Sequence, residues 1–146
     1  MKTTWILAAN RSGAKVYEHT TPGTLSLVRA IDNPDGRLLD RELVSDRAGR
    51  TFESNSPRRS SAVPQVDPVR HEAMTFARSL AAVLDAGRIA HSFEQLVLMA
   101  EPRFMGLLRD ALDRRTAATV VGSVTSELTN APERDVKAHL RDLINV

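Results

Sequence analysis

The stretch that most constrains this chain is residues 95–112, QLVLMAEPRFMGLLRDAL. Leu96, Val97, Leu98 and Met99 make an unbroken apolar run that ends at Ala100, and the chain then turns through Glu101, Pro102 and Arg103. Beyond the turn the period changes: Phe104, Leu107, Leu108, Ala111 and Leu112 stand at i, i+3, i+4, i+7 and i+8. A continuous apolar run giving way to helical spacing marks a buried strand that feeds an amphipathic helix. A strand apolar at every position is normally covered on both faces, so a sheet with helices on both sides is expected.

Length and composition set the remaining bounds. At 146 residues the chain fits one α/β domain spanning 1–146. Aromatics are only 4% of it, so Leu, Val, Ile and Ala must fill the core. Twenty Lys+Arg against 18 Asp+Glu leave a net charge of +2, which does not by itself call for nucleic acid; only a local cluster could. The absence of cysteine removes disulfides, thiolate metal sites and cysteine nucleophiles together. The N-terminal apolar run, Trp5 to Ala9, is too short for a signal-peptide core, and no run approaches a membrane span. A cytoplasmic protein without membrane insertion is the expectation.

Along the chain, residues 3–9 (TTWILAA) read as a buried first strand, and Asn10, Arg11, Ser12 and Gly13 as a turn. Residues 14–19 and 25–31 read as second and third strands, separated by Thr21, Pro22 and Gly23. Short connections between three strands imply an antiparallel meander. Asn33, Pro34, Asp35 and Gly36 form another turn, and residues 37–45 read as a short helix or a docked extended segment. Residues 46–67 are rich in Ser, Gly, Pro and Arg and form a basic, flexible loop. Asp67 and Pro68 open a helix with the stripe Ala73, Phe76, Ala77, Leu80, Val83 and Leu84, which Gly87 is expected to end. Arg114 and Arg115 are expected to close the helix that starts at Pro102, where positive charge meets the negative end of the helix dipole. Residues 119–124 make a fifth strand, and Pro132 begins a last helix with Val136, Leu140, Leu143 and Ile144 on one face. The sum is a single mixed five-stranded sheet, an antiparallel meander followed by α/β crossovers, with helices on both faces. The loops after the first and fourth strands then share one end of that sheet, where ligands normally bind.

Several blocks resemble the bacterial host attachment protein family, whose members are described as required for attachment to host cells. They are the opening strand with Trp5, then Asn33 and Pro34 with Arg37, LVSDRAGR at 43–50, Phe76-Ala77-Arg78, LVLMAEPRFMGLLR at 96–109, and Glu127-Leu128-Thr129. The chain departs from that pattern at Asn10, where the family has Asp, and at Ser126 and Glu127, where it has Lys-Asp. Roles that need those charges are not carried over. The family in turn looks like the middle domain of archaeal and eukaryotic peptide-release factors, which implies that topology, one also compatible with ribonuclease-H-like strand order. In release factors the loop before the Phe-Ala-Arg helix carries Gly-Gly-Gln. Here residues 49–69 hold Gln65 as their only glutamine, between Pro64 and Val66, so peptidyl-tRNA hydrolysis is not implied.

What the resemblance leaves is a non-enzymatic scaffold whose basic loop approaches RNA or the ribosome. Arg47, Arg50, Arg58, Arg59 and Arg103 are the RNA- or phosphate-binding candidates, because guanidinium forks match phosphate oxygens. The plainer reading of the loop arginines is that they keep an exposed loop hydrated. For Arg103 the alternatives are an anion site with the helix N-terminus or a pair with Glu101 or Asp46. Asn10, Asp46, Glu101 and Arg103 together are the candidates for a small-ligand site at the strand ends. An interaction protein supporting attachment, with a host-cell factor as partner, is the second reading, and a small-ligand enzyme the third.

No catalytic set, metal site or cofactor is expected. His19, His71, His91 and His139 are scattered without a metal-binding spacing and read as solvent-facing polar residues. Ser12, Ser60, Ser61 and Ser123 lack the G-x-S-x-G elbow of a hydrolase. A two-metal nuclease needs converging carboxylates that the first and fifth strands do not supply. Gly106, inside a helix, is expected to allow close packing of that helix on the sheet or on a neighbour.

Overall fold

The computed structural model describes residues 3–20, 24–36 and 68–125. Its strands are β1 (Thr4–Asn10), β2 (Gly13–His19), β3 (Ser26–Asp32), β4 (Gln95–Ala100) and β5 (Val120–Val124). The helices described along their whole length are α1 (Pro68–Ile89), α2 (Pro102–Ala111) and the single turn α3 (Arg114–Ala117), and residues 34–36, read above as part of a turn, are helical as well. The strands form one sheet in the order β3-β2-β1-β4-β5. β1 and β2 pair antiparallel, as do β2 and β3, whereas β4 runs parallel to both β1 and β5. The meander and the crossovers therefore join in one mixed sheet, as the order of turn and helix signals implies. The readings made for residues 37–67 and for the helix at Pro132 lie outside the described residues.

The unbroken apolar runs of β1 and β4 follow from their central place. Trp5, Leu7 and Ala9 of β1 alternate with Ile6 and Ala8, and all are buried. The first set joins Leu96, Leu98 and Ala100 of β4 in a cluster beneath α1 and α2. The second set joins Tyr17, Leu25, Val97 and Met99 on the opposite face. α1 contributes Ala73, Phe76, Ala77, Leu80 and Leu84 to the first cluster, close to the stripe read from its spacing, and α2 contributes Phe104, Met105 and Leu108. Each fully buried Leu or Phe is worth roughly 1.5–3 kcal/mol of transfer free energy. β3, at the sheet edge, is largely exposed, with Leu27 and Val28 facing solvent.

Several expectations are corrected. Gly87 does not end α1, which continues to Ile89 and closes with His91 in the left-handed region at φ 59°. Ser92 N–H donates to Gly87 C=O at 2.8 Å and His91 N–H to Arg88 C=O at 3.0 Å, the paired bonds of a Schellman closure. Gly87 is there for packing: a Cβ on it would stand 2.6 Å from Trp5 Cζ3 and 3.1 Å from Phe93 Cε1. The two rings lie 4.9 Å apart. Gly106 is the reverse case, exposed and with nothing within 4 Å of an added Cβ, so no close approach requires it.

Arg114 and Arg115 do not close α2. That helix stops at Ala111, with Leu112 extended, and Asp113 caps the separate turn α3 by accepting from Arg115 N–H at 2.8 Å. An aspartate at an N-cap satisfies an orphan donor, and the same residue is unfavourable inside a helix, so Asp113 breaks α2 from α3. α3 is tied to α1 through the buried Thr116, whose Oγ1 donates to Asp85 Oδ1 at 2.5 Å and accepts from Arg88 Nε at 2.8 Å. His19 is also corrected: it is buried at the end of β2, opposite Thr4, while His71 and His91 are exposed.

Candidate functional site

β1 and β4 are adjacent and parallel, so their carboxyl ends open on the same side of the sheet. The residues that follow them, Arg11 after β1 and Glu101 and Arg103 after β4, line one open cleft of about 390 Å³. The first turn of α1 supplies Arg70, with Val69 and Ala73 beside it, and α2 completes the wall with Phe104 and Leu107. This is the strand-end position at which open α/β sheets bind ligands. Phe104 is 1% exposed and rests against the Phe76 ring, so it backs the wall rather than offering a ring face.

Three local devices fix the backbone around the cleft. Asn10 turns its Oδ1 back onto its own chain, accepting from Ser12 N–H at 2.8 Å and Gly13 N–H at 3.1 Å. This side-chain turn sets the tight reversal into β2. Asn33 then clasps the β1–β2 turn. Its Nδ2 donates at 2.6 Å both to Arg11 C=O and to Glu72 Oε2 of α1, and its own N–H donates to Ser12 C=O at 2.9 Å. Gly36 is required by the same approach, because a Cβ there would lie 2.0 Å from Arg11 O. Third, Glu101 caps α2. Its Oε1 accepts from Phe104 N–H at 3.1 Å, and Pro102 occupies the first helical turn. The chain's own carboxylate thus takes the helix-terminal position considered for an external anion, and Glu101 does not pair with Arg103.

The structure therefore brings Glu101 and Arg103 together with Arg11 in one cleft and commits Asn10 to the adjoining turn. Asp46, Arg47, Arg50, Arg58 and Arg59 lie outside the described residues. Arg70 and the Asn33–Glu72 bond were not singled out from sequence. Arg70 was reachable in principle, since a helix returning antiparallel over β1 must begin at the end of the sheet where β1 finishes. Among the described residues no cluster of three His, Asp or Glu is arranged to hold a metal ion. Among them, too, no helix is long and apolar enough to cross a membrane.

No curated protein matches the chain. A solved structure titled "Archaeal protein" is similar in fold, with a TM-score of 0.53 at 7% identity. The match covers 98% of this chain and 35% of the other, so the chain spans about a third of that protein's length. The family described as "Protein required for attachment to host cells" matches over residues 5–140, and the chain belongs to it.

Proposed function

We propose that this protein is a non-enzymatic, cytoplasmic binding domain that associates with RNA, or with the ribosome, through the arginine-lined end of its sheet. The observation that carries the reading is the lining of the cleft: Arg11, Arg70 and Arg103 come together there from the β1–β2 turn, α1 and α2, beside Glu101, which caps α2. Guanidinium groups grouped at a concave strand end are suited to phosphate oxygens. The segment carrying Arg47, Arg50, Arg58 and Arg59 leaves the described chain after Gly36 and re-enters it at Pro68. Gly36 packs on the Arg11 carbonyl and Val69 lines the cleft, so the described residues that flank that segment lie at this site. The resemblance to the release-factor middle domain, without its Gly-Gly-Gln, supports the same reading and gives no reaction to the site.

Sedimentation with ribosomes tests it. The protein should pellet at low salt and be released as salt rises, and Arg58→Ala with Arg59→Ala should weaken pelleting. A protein that stays in the supernatant at low salt, or a double variant that behaves as the parent, overturns the reading.

A second reading takes the family's description literally, as an interaction protein that supports bacterial attachment to host cells, directly or by regulation. The family match favours it. Recovery of the protein on the cell surface by fractionation would put it first; recovery only inside the cell would leave the regulatory form alone. The small-ligand enzyme reading has less support, since Asn10 and Glu101, two of its four residues, are turned onto backbone N–H groups.

A further inference from the structure

Independently of the cleft, we propose that β3 is a docking edge for an extended segment of a partner protein, one that carries an apolar residue and an acidic residue two positions apart. Among the described strands β3 is the last on its side of the sheet and is hydrogen-bonded to β2 alone. Residues 26–30 are all exposed, so the backbone donors and acceptors along the outer side of the strand stand open to a further strand. The register tells where the side chains go. Tyr17 is paired with Leu27 and Val16 with Arg29, which leaves Val28 as an extra residue between the two pairs. Val28 and Arg29 both line a groove of about 250 Å³ between the strands and the second half of α1, together with Trp5, Val16, Val83 and Ala86. Leu27 follows Tyr17 toward the opposite face of the sheet. Leu27 is 51% and Val28 45% exposed, an apolar pair left at an open edge.

Size, charge and symmetry choose the occupant. The groove falls below the ~300–1,000 Å³ of small-molecule sites, so it suits a side chain rather than a cofactor. Apart from Ser92 and Arg29 its lining is apolar, and Arg29 is its charged residue, so an acidic neighbour is the complement. Glu18 shares this face of the sheet, opposite Ser26, but does not line the groove. A second copy of this chain fits less well. Pairing β3 antiparallel with itself over all seven residues puts the two-fold axis at its middle residue and sets Arg29 against Arg29. A strand added from another protein avoids that clash. Its alternate residues share a face, so the apolar residue in the groove and the acid beside Arg29 stand two apart, and an apolar residue between them meets Leu27.

The test uses the 146-residue chain and a blocked heptapeptide, Thr-Glu-Val-Ile-Val-Glu-Thr, which presents the same order in either strand direction. Binding is followed by fluorescence anisotropy and by NMR of the isotope-labelled chain. The peptide should bind and shift the amide signals of residues 26–30 and of Val83 to Ser92. Its counterpart with lysine in place of both glutamates should bind at least about fivefold more weakly, the swing from an opposite-charge to a like-charge cross-strand pair. Arg29→Glu should reverse the order of the two peptides, and Val28→Asp should remove binding of the acidic one. Both positions are exposed, and an unchanged melting curve shows that each variant is folded. Equal affinity for the two peptides, or shifts that avoid β3, overturns the proposal. So does a dimer in sedimentation equilibrium that Val28→Asp converts to monomer, because a second copy then occupies the edge.

Discussion

The two ends of the sheet are finished in different ways. Where β1 and β4 begin, Trp5 packs on Phe93 and on the bare face of Gly87, and Thr116 joins Asp85 and Arg88 in a buried bond network. A groove of about 250 Å³ opens beside these rings, walled mainly by Val16, Val28, Val83 and Ala86, with Arg29 the charged residue in its lining. Where the same strands finish, local side-chain bonds from Asn10, Asn33 and Glu101 hold the backbone, and arginines from three elements line the space that remains. One end spends its side chains on packing. The other fixes its backbone with short polar residues and lines a cleft with long charged ones, and this division motivates placing function there.

The contrast can be broken first at Asn33. Asn33→Ala removes both donated bonds and leaves Arg11 C=O and Glu72 Oε2 without that donor. A loss of about 2–4 kcal/mol is expected in chemical denaturation, together with loss of ligand binding, because the cleft's Arg11 turn is released. An unchanged midpoint would mean that the clasp does not hold the turn. Thr116→Val strikes the other end and should cost about 1.5–3 kcal/mol, since the Asp85 carboxylate loses its hydroxyl donor. Binding at the cleft should survive it; a parallel loss of binding would show that the two ends are coupled.

The two helix glycines sharpen the comparison. Gly87→Ala gains about 1 kcal/mol of helix propensity but forces a methyl into the Trp5 ring, at an overpacking cost of about 1–3 kcal/mol. A net destabilisation, seen as a lower melting temperature, is expected. Gly106→Ala meets open space and should instead stabilise by about 1 kcal/mol. The account of both positions fails if the two substitutions shift the melting temperature in the same direction.

That pair also shows what the sequence made legible. The spacing of α1 runs through Phe76, Leu80 and Leu84 to position 87, so Gly87 falls on the buried stripe, whereas Gly106 falls off the stripe of Phe104, Leu107 and Leu108. Periodicity therefore tells which face each glycine takes. It does not tell that an indole waits opposite one of them, because Trp5 is 82 positions away in the chain. The sheet was read well for a related reason: apolar runs, turn residues and strand-helix transitions are local signals, and connection length alone separates the antiparallel hairpins from the parallel crossovers.

The strand-end site was legible as a location. What each polar group does there was not. Glu101 reads from sequence as a ligand residue or as the partner of Arg103, and the structure gives its carboxylate to the Phe104 amide. Asn10 reads as a ligand residue and serves the turn. Arg114 and Arg115 were assigned by the helix-dipole argument, which is weaker than the capping bond Asp113 makes. In each case a short-range bond to backbone took a side chain whose charge alone suggested something else.

The central claim, that the arginine-lined end of the sheet meets phosphate, is tested most directly by the salt dependence of single-stranded RNA binding for the parent chain and for Arg103→Ala, followed by fluorescence anisotropy. The parent should show log affinity falling linearly with log salt, and the variant should lose about 0.7 from that slope, the share of one phosphate contact on a single strand, with its stability within about 0.5 kcal/mol of the parent. Identical slopes for the two proteins, or binding that ignores salt, would contradict it.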